Sequence, residues 1–530
     1  MNTTLVCCWA LTKGRVTTSG VHQRRSSSWI LGFAFLTGCH CGRRSASSSE
    51  GRLRRLVPAE ARAIVLLPRL DYATAALGEL IATLSKIPGG EALETYAGDL
   101  VAQLQADPTT REGLAQLGIE PEGAAAAWFS ADLQEGSPVI ALPAKDEGVL
   151  VQRLAALAQR AGAVGTPQQT SDGCREFRTA SGDVVLATAV RDGFVLLARN
   201  VGQLRSTPAS SSPVNWSELR ALQKDLGDEQ DLLVFAQPSM VSGIALPSPL
   251  LLGARLGAHG LHVRAVLQAS PALAAVVSEL GTKATFEALP DSAVITLQLA
   301  GPPAALGRIL ADRLPREIVG TLSAAGIDLQ KDVLENLRSG ISIALSLARA
   351  PDFSRATSID PRVANPFREV RLVALARVVD LEKAKMTLRQ LATLGKQWGT
   401  TYSQREMGGR VVLVASYALG ETVSLALVDK TLVVTGGEGE MAAAFDRLRS
   451  DPLATEADGP LIRLRFRPAM LVAQVRAIPE MSFGGLAGLT LRSLLSRVLD
   501  PLTHFGDLVL ELSADQNAGV LLGDFDLPVR

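Results

Sequence analysis

Three spacings in this chain bring together residue types that can do chemistry. The first is a cysteine behind two small residues, Thr37-Gly38-Cys39, closing an apolar run that starts at Trp29. A thiol there is a nucleophile on a backbone that small side chains leave open to a peptidase. The second is Gly437-Glu438-Gly439-Glu440-Met441-Ala442, a G-x-G-x-x-A spacing between a strand expected at 432–435 and a helix expected at 441–448. A dinucleotide's pyrophosphate would meet bare backbone N–H groups at such a turn. Glu438 and Glu440 put negative charge there instead, so the turn is expected to cap a helix dipole and hold no cofactor. The third is His259-Gly260-Leu261-His262. Gly260 breaks a helix, and in a strand residues three apart face opposite ways, so no metal site is expected.

The remaining chemistry is sparse. The chain has no G-x-S-x-G elbow, H-E-x-x-H pair or G-x-x-x-x-G-K-[ST] loop. His259, His262 and His504 are the only histidines after residue 56. Acids such as Glu229 and Asp231 belong to no distinctive pair. No catalytic, metal or cofactor residue is assigned, and the protein is expected not to be an enzyme.

The segment Leu36-Thr37-Gly38-Cys39 resembles the lipobox of a bacterial lipoprotein signal, over residues 24–39. Arg24 and Arg25 supply the basic part, and 29–36 the apolar part, within the length a signal peptide uses. The run is far short of the roughly 20 residues of a spanning helix. The resemblance implies peptidase recognition through Leu36, Thr37 and Gly38, lipid on Cys39, and a mature chain that begins there. Residues 1–38 are then the signal peptide. Residues 1–20 carry Cys7, Cys8 and Trp9 outside its pattern, as expected if the true start lies downstream, with Val21 as one candidate. Residues 39–55 are rich in Ser and Arg and are expected to form a lipidated flexible tether. His40 in place of an aspartate favours the periplasmic face of the outer membrane over the inner membrane.

Composition bounds the body. Without residues 1–38 the chain carries 49 basic and 53 acidic residues, a net charge of −4. A near-neutral balance argues against nucleic acid as a partner. After residue 56 the only cysteine is Cys174, so a disulfide framework is excluded. A length of 530 residues suggests more than one domain. With 47% hydrophobic but 4% aromatic residues, the cores must be built from Leu, Val, Ile and Ala.

The body reads as one unit used twice, over 56–270 and 286–528. Pro58-Ala59-Glu60-Ala61 before the strand at 63–67 answers Pro290-Asp291-Ser292-Ala293 before 294–297. Ala76-Leu77-Gly78 answers Ala305-Leu306-Gly307, and Gly118-Ile119-Glu120 answers Gly326-Ile327-Asp328. A strand at 139–142, then Asp146 and a helix, answers 373–376, then Asp380 and a helix. The hairpin 184–198 answers 423–435. Pro238-Ser239-Met240 answers Pro468-Ala469-Met470, and Gly260 answers Gly519. Short alternating strands recur both in hairpins and after helices, so the expected class is α+β with mainly antiparallel sheets and amphipathic helices. Loops are expected at 206–217, 350–368 and 482–490.

This layout resembles a two-repeat family of bacterial envelope proteins known only as a domain of unknown function. The shared features are the Leu-Pro-acid opening, with Val57 in place of the Leu in the first copy, the Gly-Ile-acid step and the strand-to-helix turn after a hairpin. The resemblance implies a membrane-anchored envelope protein and transfers no active site. Two apolar stretches stand out, 244–256 and the amphipathic run within 471–505. They suit an envelope protein partner or packing between the copies. The expectation is a non-enzymatic scaffold or binding lipoprotein. The alternative is a carrier of an acyl chain or another apolar ligand.

Overall fold

The computed structural model describes residues 48–58, 61–129, 138–205, 222–227, 230–236, 249–268, 283–285, 289–301, 303, 316–348, 369–394, 396–397, 400–416, 422–437, 439–450, 456–458, 460–479, 490, 493–495, 497–515 and 520–530. The segment Leu36 to Cys39 and the loops expected at 206–217 and 350–368 lie outside them, as does nearly all of 482–490. Packing divides the chain into two compact units. One comprises residues up to 77 with 98–214, the other 78–97 with 215–530.

The first unit's strands are β1 (Ala63–Leu67), β2 (Ala125–Phe129), β3 (Val139–Pro143), β4 (Gln168–Gln169), β5 (Arg175–Arg178), β6 (Val184–Arg191) and β7 (Phe194–Ala198). Helices along this stretch are α1 (Ser48–Leu56), α2 (Leu70–Leu84), α3 (Glu91–Leu104), α4 (Arg111–Gln116), α5 (Glu147–Arg160) and α6 (Val201–Arg205). The strands lie in the order β1-β2-β3-β7-β6-β5-β4, every neighbour antiparallel. β3 and β7 are unbroken apolar runs because both their faces are buried. Trp128, Phe194, Leu142 and Leu196 are among the largest fully enclosed side chains.

The Ser/Arg composition places 48–55 in the tether, but the structure has these residues in α1. Leu53 and Leu56 fall on one helical face and are almost fully buried, each worth about 1.5–3 kcal/mol of burial. The Ser49 hydroxyl accepts from the buried Ala124 N–H at 3.0 Å. Arg52 reaches the Asp192 carbonyl at 3.1 Å and lies 5.7 Å from the centre of the Phe194 ring. The helix is therefore part of the fold.

The second unit contains β8 (Leu232–Ala236), β9 (Leu250–Gly257), β10 (Gly260–Gln268), β11 (Lys283–Thr285), β12 (Ile295–Leu299), β13 (Leu337–Leu347), β14 (Val370–Val378), β15 (Lys396–Gln397), β16 (Thr400–Met407), β17 (Arg410–Ser416), β18 (Thr422–Val428), β19 (Thr431–Gly436), β20 (Glu456–Asp458), β21 (Ile462–Phe466), β22 (Leu508–Asp515) and β23 (Val520–Pro528). Its helices are α7 (Arg316–Ala324), α8 (Leu381–Thr393), α9 (Glu440–Ser450) and α10 (Pro468–Arg476). The ladder runs β8-β9-β10-β23-β22-β21-β12-β13-β14-β19-β18-β17-β16-β15, antiparallel throughout. β11 pairs with β20 apart from it. The class is thus α+β with antiparallel sheet. Strands β8–β10, which the repeat reading gives to 56–270, belong to this second unit and bond directly to β23.

One core of the second unit lies where α9 packs on the sheet: Met441, Ala444 and Phe445 cluster with Val373, Leu375, Val412 and Val433. Local signals set the helix starts. Asp146 and Asp380 stand in extended conformation before α5 and α8, and each carboxylate accepts an N–H three residues on, at 3.0 Å. Such a cap satisfies a donor that the helix itself leaves open.

Candidate functional site

The middle of the second unit's ladder, β10-β23-β22-β21-β12-β13, presents two unlike faces, because side chains alternate along every strand. Register lines up Val263, Phe525, Leu510, Leu464, Leu297 and Ile343 in one row across six strands. The next row on the same face is Ala265, Gly523, Leu512, Ile462, Leu299 and Ile341. Strand spacing makes each row about 24 Å long. No polar side chain interrupts either row. Leu510, at the centre of the first, is 43% exposed, while its five row-mates are half-buried.

The opposite face carries charge. His262 sits across from Asp526, and Arg264 across from Asp524. His262 Nδ1 is 2.5 Å from Asp526 Oδ1, and its Nε2 is 3.8 Å from Asp524 Oδ1. Arg264 Nε is 3.3 Å from that same Asp524 oxygen. Further along, Arg463 donates to Glu511 at 2.6 Å and Arg465 to Asp507 at 2.8 Å. These groups are a quarter to a half exposed, so each pair contributes at most about 1 kcal/mol. Their effect is to fix register, since a slip of one residue would put these charges on the apolar face.

The three sequence spacings fare differently. Cys39 and the residues before it lie outside the described residues. His259 occupies the turn between β9 and β10, where its carbonyl accepts the Val529 N–H at 2.8 Å. His262 is held by carboxylates 264 and 262 positions away, on β23. A signal for them exists: His262-x-Arg264 and Asp524-x-Asp526 are oppositely charged at strand period. Among the described residues, no group of three His, Cys, Asp or Glu is placed to hold a metal ion.

At the glycine-rich turn, Glu440 opens α9 and is buried in an ion pair with Arg371. Burial pushes the nearby Arg447 guanidinium down from its ordinary pKa, and Glu440 opposes that shift. Glu438 is outside the described residues. Cys174 is fully buried with a free thiol. Glu229 is also outside the described residues, and Asp231 is buried beside β8.

The apolar stretch at 244–256 is described from residue 249, and there most of it is strand. β9 is hydrogen-bonded to β8 on one side and β10 on the other. The stretch at 471–505 begins in α10 and ends in a 3-10 turn, Asp500–His504. Between them, Leu494 and Val498 are 58% and 61% exposed. No described helix is long and apolar enough to cross a membrane. No protein-family model, curated protein or solved structure matches the chain.

Proposed function

We propose that this chain is a lipid-anchored bacterial envelope protein, a non-enzymatic scaffold or binding lipoprotein that presents an apolar sheet face to an envelope partner. The observation that carries the binding role is the pair of uninterrupted apolar rows crossing β10, β23, β22, β21, β12 and β13. Leu510 at their centre is far more exposed than a core leucine. The anchor rests on Leu36-Thr37-Gly38-Cys39, and His40 favours the periplasmic face of the outer membrane.

The body is, in this proposal, one unit duplicated, as in the two-repeat envelope family it resembles. The order β1-β2-β3-β7-β6-β5 supports this, because β12-β13-β14-β19-β18-β17 repeats its connectivity and sense. Registers agree as well. Ala61 N–H bonds to Pro58 and Arg62 N–H to Phe129, just as Ala293 N–H bonds to Pro290 and Val294 N–H to Leu345. Asp146 and Asp380 cap equivalent helices.

A second reading uses the same face. A row about 24 Å long suits an acyl chain or another extended apolar ligand as well as a protein. Mass spectrometry of organic extracts separates the two. Purified protein that releases no lipid, together with a crosslinked partner from intact envelopes that is lost in Leu510→Asp, supports the binding lipoprotein. A stoichiometric lipid in the extract supports the carrier. Crosslinking unaffected by Leu510→Asp, with an empty extract, refutes both uses of the face. For the anchor, radiolabelled palmitate should mark the wild type and not Cys39→Ala. Equal labelling of the two, or none in either, refutes it.

A further inference from the structure

We infer that the occupant of the apolar sheet face is a second copy of this chain, the two faces stacking about a two-fold axis that passes near Leu510. The inference deepens the binding role proposed above and rests on it. β13 shows that the face is built to be covered. Ser342 and Ala344 lie on the side of the α9 core, where both are buried. Ile341, Ile343 and Leu345, the larger and more apolar set, lie on the other side and stay half-buried. A strand serving its own core alone would carry the reverse pattern. Where α9 covers the same sheet, Val412 and Val433 are fully enclosed, while Leu510 at the centre of the apolar rows stays open.

Area and composition select the partner. Beside the two rows already described, Leu261 with Leu527, and Leu508, Phe466, Ile295 and Leu345, continue the same face one pleat further. Three rows make a patch of about 24 Å by 20 Å, roughly 500 Å² on each copy. Two such patches bury roughly 1,000 Å², the size at which a specific interface becomes stable. The patch holds aliphatic residues, phenylalanine and Gly523. It has no Tyr, Trp, Met or Arg, the types that anchor unlike partners, and no charge to orient one. Such a composition belongs to interfaces that resemble a core cut in half, as in obligate homodimers. Sheet faces stack about 10 Å apart with strands within about 30° of each other. A two-fold axis asks only that the face match itself, and flat apolar rows do.

The test places a photoreactive benzophenone side chain at position 510. Two copies of the full chain, with different tags after Arg530, are made in the same cells and crosslinked in intact envelopes. The expected product carries both tags, has twice the mass of one chain, and joins position 510 to β21 or β22 of the other copy. Leu464→Ala on both copies should lower its yield by about tenfold or more, because a two-fold interface loses that contact twice. Arg463→Ala, on the opposite face of the same strand, should leave the yield unchanged. Circular dichroism of each variant should match the wild type, so a lost product reads the interface. A crosslink to a different envelope protein overturns the self-association and leaves the binding role standing. A crosslink to lipid overturns it in favour of the carrier. A product of single-chain mass joined within one copy gives the face to the chain's own segments and overturns it as well. A two-tag product unchanged by Leu464→Ala places the dimer contact elsewhere and overturns this one. No product at all overturns both the self-association and the binding role.

Discussion

Asp192 and Asp429 share one backbone conformation, φ 51° and 52°, each as the first of the two residues that turn a hairpin, β6–β7 and β18–β19. Among the described residues the only other non-glycine with positive φ is Gln105. Aspartate tolerates the left-handed region because its short side chain bonds locally, whereas a β-branched residue crowds the carbonyl. Asp192→Ile and Asp429→Ile should each lose about 1–2 kcal/mol in urea unfolding. The corresponding glycine variants should stay within about 0.5 kcal/mol of wild type. Isoleucine variants as stable as wild type would show that neither turn needs this conformation.

Gly118 and Gly326 hold matching places in the two proposed copies, with φ 80° and 70°, yet their surroundings differ. A methyl group on Gly118 would come 2.6 Å from the Asp146 carbonyl oxygen and 2.8 Å from Leu150 N. On Gly326 it would meet nothing within 4 Å. Gly326→Ala should cost about 1 kcal/mol of backbone strain. Gly118→Ala adds a clash with backbone that cannot swing away, for a total of roughly 2–4 kcal/mol. Equal thermal shifts for the two variants would refute the difference in packing.

The Arg371–Glu440 pair tests what the glycine-rich turn is for. Both side chains are nearly enclosed, at 17% and 11% exposure. Glu440→Gln leaves the guanidinium without its counter-charge and should destabilise by roughly 3 kcal/mol. Replacing both, as Arg371→Met/Glu440→Leu, should cost clearly less, because no buried charge is then stranded. A double-mutant cycle by denaturant unfolding reads the coupling. A value near zero would mean the pair does not hold α9 to β14.

At Asp172 the pH dependence has a defined sign. Hydrogen bonds from Arg205 and then Thr170 hold its carboxyl well below the usual carboxylate range. A depressed folded-state pKa contributes stability above the unfolded carboxylate value of about 3.9. That contribution is lost as pH falls through the lower folded value. The group lies at the surface in contact with solvent, so its titration is more informative than its energy. In Arg205→Ala the Asp172 carboxyl should move up toward 3.8, followed by carbon-13 NMR. An unchanged midpoint would remove Arg205 as the cause.

Much of the local structure is legible in the sequence. Asp146 and Asp380 mark helix starts because a carboxylate three residues before open N–H groups has one evident use. The hairpin turning at Asp192-Gly193 shows through its alternation and its turn chemistry. Burial that depends on distant chain is harder to see. Leu53 and Leu56 look like part of a Ser/Arg leash until Ala124 and Phe194 arrive beside α1. The 250–257 run is apolar whether it is a strand or a surface, and only β8 and β10 on either side decide it. His262 finds its carboxylates on β23 through a pairing that no local window contains.

That pairing also dictates an order of events during synthesis. His262 and Asp526 are 264 residues apart. At roughly 5–20 residues per second, the ribosome needs on the order of 13–50 s to pass from one to the other. β10 can close on β9 at once through its short turn. Its other edge keeps unpaired N–H and C=O groups until β23 has emerged. Residues 520–528 are therefore the seam that closes the open edge of β10. A chain stalled or trimmed short of them presents β10 as an open template on which another unfinished chain can add a strand.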